Sequence, residues 1–346
     1  MNDRTRVFVA VGVTVLLFLG VQIGALALIE PFHESERQAV ENPEDPTNSF
    51  IYFGIILVAT ALMLAAFKYD LQWLIRGLIV SISVMLAWFV FTEFVPPVVT
   101  AGPANVPAVL AALAVGVALL AYPEWYVIDA AGVLMGAGAA ALFGISFGLL
   151  PAILLLAVLA IYDAISVYGT EHMLDLAEGV MDLKIPVILI VPMSLSYSYL
   201  SDGGTDDAVD GSGDVTGEAA PETGTPNGGT ELETDDGGRE TGDSDEREFD
   251  RDALFIGLGD AVIPTILVVS AAYFVDAGTL EVPGIALNVP ALGALVGTLV
   301  GLVVLMYMVI KGRAHAGLPL LNGGAIGGYL IGALASGLSI LTALGL

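Results

Sequence analysis

Cysteine is absent from this 346-residue chain, and bases are scarce: 11 Lys and Arg stand against 37 Asp and Glu. Without cysteine, disulfides and thiolate metal sites are excluded. The three histidines, His33, His172 and His315, are scattered and no HExxH occurs, so no metal and no cofactor are expected. A net charge of −26 repels nucleic acid, and no nucleic-acid partner is expected. Charge of either sign makes up only 14% of the residues, against 56% hydrophobic, too little to cover the surface of a soluble protein of this length. The apolar residues gather in blocks of about 20, the length that crosses a hydrocarbon core of about 30 Å. The chain reads as an all-α polytopic membrane protein whose neighbours are lipid.

Nine spans are predicted: 7–29, 50–67, 72–94, 105–121, 125–144, 149–169, 253–275, 288–310 and 318–344. Helices are required because unpaired backbone is not tolerated in lipid and the alternation of a barrel is missing. Val7 to Ile29 is too long for the apolar core of a signal peptide and lacks a small-x-small cleavage site, so it is read as the first span. Pro107, Pro123 and Pro151 mark helix starts, and Gly144 to Gly148 a short turn. With a cytoplasmic N-terminus and nine spans, Arg4, Arg6, Lys68, Arg76, Lys184, Arg239, Arg247, Arg251, Lys311 and Arg313 all fall inside. Only Arg37 falls outside, a clear positive-inside bias.

Eighteen of the 37 acidic residues lie between Asp202 and Asp252. That stretch has almost no large apolar residues, cannot offset its ordering entropy and is expected to be a disordered cytoplasmic loop. Acid-rich, lysine-poor exposed segments also fit a protein kept soluble in high salt, which predicts a halophilic source. Before the loop, Thr170 to Lys184 reads as an amphipathic interfacial helix. Ile185 to Met193 is apolar but too short to span and is broken by Pro186 and Pro192. The chain divides into a six-span part (1–195), the acidic loop (196–252) and a three-span part (253–346).

Ionisable groups deep in a bilayer suggest function by default. Asp163 follows Tyr162 in an otherwise apolar helix, about six residues before its cytoplasmic end. Asp260 closes Gly257-Leu258-Gly259-Asp260, about seven residues into the next span from the same face. Consecutive antiparallel helices thus bring two carboxylates to similar depth. Facing each other, they would share one proton, one acting as general base to a water and the other polarising a carbonyl. Gly257 and Gly259 remove bulk beside Asp260, so that helices or an extended substrate can approach. Composition and spacing leave two readings level: an aspartyl protease and a proton- or cation-coupled transporter. Transporters often carry internal repeats, and none is visible here.

Tyr162-Asp163, Gly257-Leu258-Gly259-Asp260 and Leu318-Pro319-Leu320-Leu321 resemble the YD, GxGD and PAL motifs of the presenilin and signal peptide peptidase family, in its archaeal form. Motif order, nine spans and the acidic loop between spans six and seven match as well. A prepilin-type peptidase shares GxGD, but the PAL-like segment favours the presenilin side. The resemblance implies an intramembrane aspartic endopeptidase of the cell membrane with Asp163 and Asp260 as its catalytic pair. It implies Tyr162, Gly257, Leu258, Gly259, Pro319, Leu320 and Leu321 as substrate-supporting residues. Its substrates would be transmembrane helices or signal-peptide remnants, and no accessory subunit would be required. Leu320 stands where the motif has Ala, a departure that bears on substrate positioning. A substrate helix must unwind to expose its scissile bond, and could then pair as a strand with backbone left free at Pro319 or with Ile185 to Val191.

Other signals have plainer readings. Gly144-Ile145-Ser146-Phe147-Gly148 matches a nucleophile elbow, but no histidine lies within a span to serve as base, so a helix-end turn is expected. Asp129 and Glu93 sit near span ends, where snorkelling to water is expected. Gly132 and Gly136, and Gly323, Gly324, Gly327, Gly328 and Gly332 in the ninth span, are expected to serve close helix packing. Asn322 is expected to bond nearby backbone.

Overall fold

A computed structural model describes residues 3–69, 71–102, 104–169, 188–192, 253–310 and 316–346. The expected interfacial helix and disordered loop fall outside these. In chain order the elements are α1 (Asp3–Ala27), α2 (Ile29–Glu34), α3 (Thr47–Lys68), α4 (Gln72–Phe94), β1 (Thr100–Ala101), β2 (Ala104–Asn105), α5 (Val106–Ala121), α6 (Trp125–Ser146), α7 (Leu149–Gly169), β3 (Ile188–Pro192), β4 (Ala253–Gly257), α8 (Leu258–Phe274), β5 (Thr279–Val282), β6 (Ile285–Asn288), α9 (Val289–Ile310), α10 (Gly317–Ala335) and α11 (Ile340–Ala343). Among the described residues, seven helices are long and apolar enough to cross a membrane, and α5 and α8 are apolar but shorter. Each predicted span overlaps one of these nine helices.

Two boundaries differ from expectation. Residues 253–257, predicted as the start of a helix, form β4, which pairs antiparallel with β3. The β-branched and aromatic content of Phe255 and Ile256 suits a strand, and Gly257, extended at φ −60° and ψ 130°, is where the chain turns into α8. The last predicted span stops at Ala335. Gly337 then takes φ 83°, a conformation open to glycine, and folds the short α11 back so that the Tyr329 hydroxyl donates to the Ala343 carbonyl at 2.6 Å.

Helix α8 is central: it packs against α1, α6, α7, α9 and α10. Small residues set these distances. A Cβ at Gly24 would meet Ala137 at 2.8 Å, and one at Gly144 would collide with Val269, so α6 lies close to α1 and α8. On the α9–α10 seam, Gly293 and Gly297 lie against the backbone of Gly324 and Gly328 so closely that any side chain would overlap it. Gly332 likewise has the Val289 carbonyl 2.6 Å from where its Cβ would be. The expected packing role therefore belongs to Gly324, Gly328 and Gly332, while Gly323 and Gly327 face open space. Dispersion and backbone proximity hold such seams, since lipid removes the hydrophobic drive between helices. On the outside, Leu62, Trp73, Leu110, Ile161, Val300 and Ile331 are exposed, as a surface solvated by acyl chains requires.

Polar side chains near the ends depart from the snorkelling expectation. The Glu93 carboxylate accepts from Arg37 Nε at 2.9 Å and from Ser35 Oγ, while the Arg37 guanidinium covers the Phe89 ring at 4.5 Å. Asp129 is buried, 5% exposed; it does not reach for water. The elbow-like Ser146 behaves as a helix-end residue: it donates to the Leu142 carbonyl and accepts from the Ala39 N–H at 2.8 Å.

Candidate active site

Three elements converge on the two aspartates. Asp163 lies six residues before the end of α7 and is 7% exposed. Asp260 is the third residue of α8, closer to its helix start than the sequence suggested, because β4 occupies the preceding turn and a half. The third element is the start of α10. There the Leu318 N–H donates to Asp163 Oδ2 at 3.0 Å. A Cβ on the neighbouring Gly317 would lie 3.4 Å from Asp260 Oδ2. Consecutive residues of one helical turn thus border both carboxylates. The first turn of a helix offers N–H groups without internal partners, and here one of them orients Asp163.

The PAL-like segment lies in this same first turn. Pro319 has no N–H, and the Leu318 N–H is given to Asp163. Leu321 is fully buried among Phe18, Leu302 and Leu305, and the Leu320 carbonyl rests against Gly301. The segment holds α10 in place. Asn322 adds to this: its Nδ2 donates to the Leu156 carbonyl of α7 at 2.9 Å, tying α10 to the helix that carries Asp163.

Around Asp260 the glycines open space. Gly259 is exposed, and a side chain there would meet only Ile263 at 3.9 Å; one at Gly257 would meet Asp260 itself at 3.5 Å. Neither glycine brings a helix closer. Leu258 is buried instead, filling the floor above Gly132 and Gly136 of α6. Pro264 lies inside α8. Lacking an N–H, it leaves the carbonyl four residues earlier, that of Asp260, without its helical donor. Tyr162 makes an edge contact with Phe53 of α3, 5.9 Å between ring centres. The Ile185 to Val191 stretch is a strand from Ile188 on, and its partner is β4 of the same chain.

Sequence reasoning passed over Gly317 and Pro264, and read Asp129 only as a span-end acid. Gly317 adjoins the Leu318-Pro319 pair and Pro264 lies one helical turn from Asp260, so proximity to the motifs was the available signal. Asp129 offered none beyond being an acid in an apolar helix. Its Oδ1 accepts the Ile190 N–H of β3 at 2.7 Å. Among the described residues no group of three or more His, Asp and Glu gathers to hold a metal ion.

The signal-peptide peptidase, presenilin aspartyl protease family model matches residues 15–338. Two solved structures of a presenilin family intramembrane aspartate protease are similar. The one in space group C222 is 32% identical, with a TM-score of 0.60, covering 94% of this chain and 99% of that one. The one in space group P2 is 31% identical, with a TM-score of 0.57, covering 93% and 96%. No curated protein gives a significant match.

Proposed function

This chain belongs to the signal-peptide peptidase and presenilin aspartyl protease family, an intramembrane aspartic endopeptidase by descent, and from that premise we propose that Asp163 and Asp260 are its catalytic dyad. The observation that carries the reading is the shared turn of α10, which puts Leu318 on one carboxylate and Gly317 on the other. Two carboxyl groups that face each other across such a turn would hold one proton between them. The ionised member takes a proton from water as the water oxygen attacks the scissile carbonyl carbon. The protonated member hydrogen-bonds the carbonyl oxygen, and the tetrahedral intermediate collapses as its nitrogen receives a proton and leaves.

All nine apolar helices are taken as spans, with the N-terminus cytoplasmic and the dyad toward the cytoplasmic side. Substrates are transmembrane helices, signal-peptide remnants among them, and an unwound segment adds as a strand to the β3–β4 pair. Support for this comes from β4, which runs without a break into Gly257 and Asp260, so a strand laid along it is carried to the dyad. Ion-coupled transport, the competing reading, draws no support from either comparison.

The test is cleavage of a reporter transmembrane helix by the purified protein in detergent and high salt. Asp163→Asn and Asp260→Asn should each lower turnover by at least about 10²–10⁴-fold, the range of a lost general acid or base. Cleavage persisting in either variant would sink the dyad. Leu320→Pro probes the PAL-like segment separately: unimpaired cleavage would remove any role for it in holding the site.

A further inference from the structure

Among the described residues, the β3–β4 pair shows none of the usual devices that fix strand register. No short turn joins the strands; residues 193–252 separate them. Nor does alternation choose a face, because Ile188-Leu189-Ile190-Val191 and Ala253-Leu254-Phe255-Ile256 are apolar at every position. Register is weakly specified when neither turn nor polar alternation sets it. Yet the substrate reading above needs this pair to sit in one place beside Asp260.

Among the described residues, a polar group from outside the sheet addresses it. Asp129, on the second turn of α6, is 5% exposed, and its Oδ1 takes the Ile190 N–H at 2.7 Å. Ile190 pairs opposite Phe255, and an N–H turned to Asp129 is turned away from β4, so these two form a non-hydrogen-bonded pair. The bond therefore costs the ladder nothing and selects one residue of β3 by a directional contact. One turn along α6, a Cβ at Gly132 would lie 3.2 Å from Leu189 Cδ2, so the helix fits β3 closely in this register.

We propose that Asp129 is a positioning residue that locks β3, and through it β4, into a single register against α6, so that a substrate strand presents one peptide bond to the dyad. The proposal rests on Asp163 and Asp260 being the dyad and on substrate adding to this pair. A buried carboxylate in an apolar span is costly, and a lone hydrogen bond to an edge N–H gives it a use that a leucine could not serve. Backbone N–H and C=O groups point to alternate edges of a strand, so a strand that slips without turning over keeps its ladder bonds only if it moves by two residues, about 6.6–6.8 Å. Loss of the lock should thus spread cleavage in steps of two residues.

The experiment is mass spectrometry of reporter product termini together with KM and kcat, in the full-length chain. Asp129→Ala should still cleave, with new termini two residues from the main site and a several-fold higher KM. Asp129→Asn keeps an acceptor oxygen and should restore the single main site. Ile190→Pro removes the donor without touching the ladder, since proline is tolerated where the N–H points off the sheet. It should reproduce the Asp129→Ala pattern, and the double variant should be no worse than either single one. Unchanged termini in both Asp129→Ala and Ile190→Pro, an Asp129→Asn as scattered as Asp129→Ala, or additive effects in the double variant would each overturn the proposal. A failed dyad would instead show as cleavage surviving Asp260→Asn, an outcome independent of where the termini fall.

Discussion

The two ends of α8 treat polar groups in opposite ways. At its C-terminal end, Asn288 is 2% exposed and fully used: its Nδ2 donates to the carbonyls of Ala271 and Val275 at 2.8 and 2.7 Å, and its Oδ1 accepts the Ala291 N–H at 2.8 Å. Nearby, Ser270 donates to the Phe147 carbonyl at 2.8 Å. At the N-terminal end the backbone is irregular, a proline interrupts the ladder, and glycines line the carboxylates. The first end spends its polar groups on joining α8 to the start of α9 and to the end of α6. The second leaves the Asp260 carbonyl without its helical donor and sets small glycines beside the carboxylates. In a medium that supplies no water to mend errors, that contrast separates an anchor from a site.

The sharpest way to break the active end short of the aspartates is Gly317→Val. A methyl at Gly317 would already stand 3.4 Å from Asp260 Oδ2, and a branched side chain must displace either the carboxylate or whatever sits on it. Displacements of about 1 Å at a reacting centre cost on the order of 10²-fold. Turnover of the reporter should fall by about that much while thermal unfolding in detergent moves little. Near-normal turnover would mean that the α10 turn does not crowd the dyad.

The anchor end should fail in the opposite sense. Asn288→Ala strands the Val275 carbonyl and the Ala291 N–H in an apolar interior, while the Ala271 carbonyl keeps the Val275 N–H, and each buried group left unpaired costs about 1–3 kcal/mol. Unfolding should shift by about 2–4 kcal/mol in total, measured as a lower midpoint in denaturant, with kcat of the remaining folded protein close to the parent's. Lost turnover at unchanged stability would erase the distinction between the ends.

Pro264→Ala sharpens the comparison from the active side. It restores a donor to the Asp260 carbonyl and should make the start of α8 more regular. Stability is expected to rise by about 1 kcal/mol or less while activity drops several-fold, a trade-off common where sites hold unsatisfied groups. Equal or higher activity would show the open carbonyl to be incidental.

Legibility followed the same division. Apolar blocks of the right length gave every long helix, because crossing a bilayer leaves few alternatives. Tyr162-Asp163 and the Gly257 to Asp260 run were visible because an acid in an apolar helix is conspicuous. What escaped were features decided by partners distant in sequence. Residues 253–257 read as helix on hydropathy alone, yet β3, some sixty residues earlier, makes them a strand. Asp129 resembled any acid near a span end until Ile190 was placed beside it. Leu318 gave no sign that its N–H, not its side chain, would meet Asp163. Gly323 and Gly327 could not be told from Gly324 and Gly328 without knowing which face α9 covers.

The mildest test lies farthest from the dyad in character. Glu93 and Arg37 are only partly buried, with side-chain exposures of 12% and 17%, and water competes for both. An ion pair in such a place adds little, about 1 kcal/mol or less, most of it screened by salt. Glu93→Gln keeps an acceptor for Ser35 and for Arg37 while removing the charge. In high salt the unfolding midpoint should scarcely move, and at low salt it should fall slightly; reporter cleavage should be unchanged in both. A large loss of stability at high salt would mean that this cluster pins α2 to α4 as firmly as Asn288 pins α8 to α9. In that case the outer surface, and not only the α8–α9 junction, would have to count as part of the anchor.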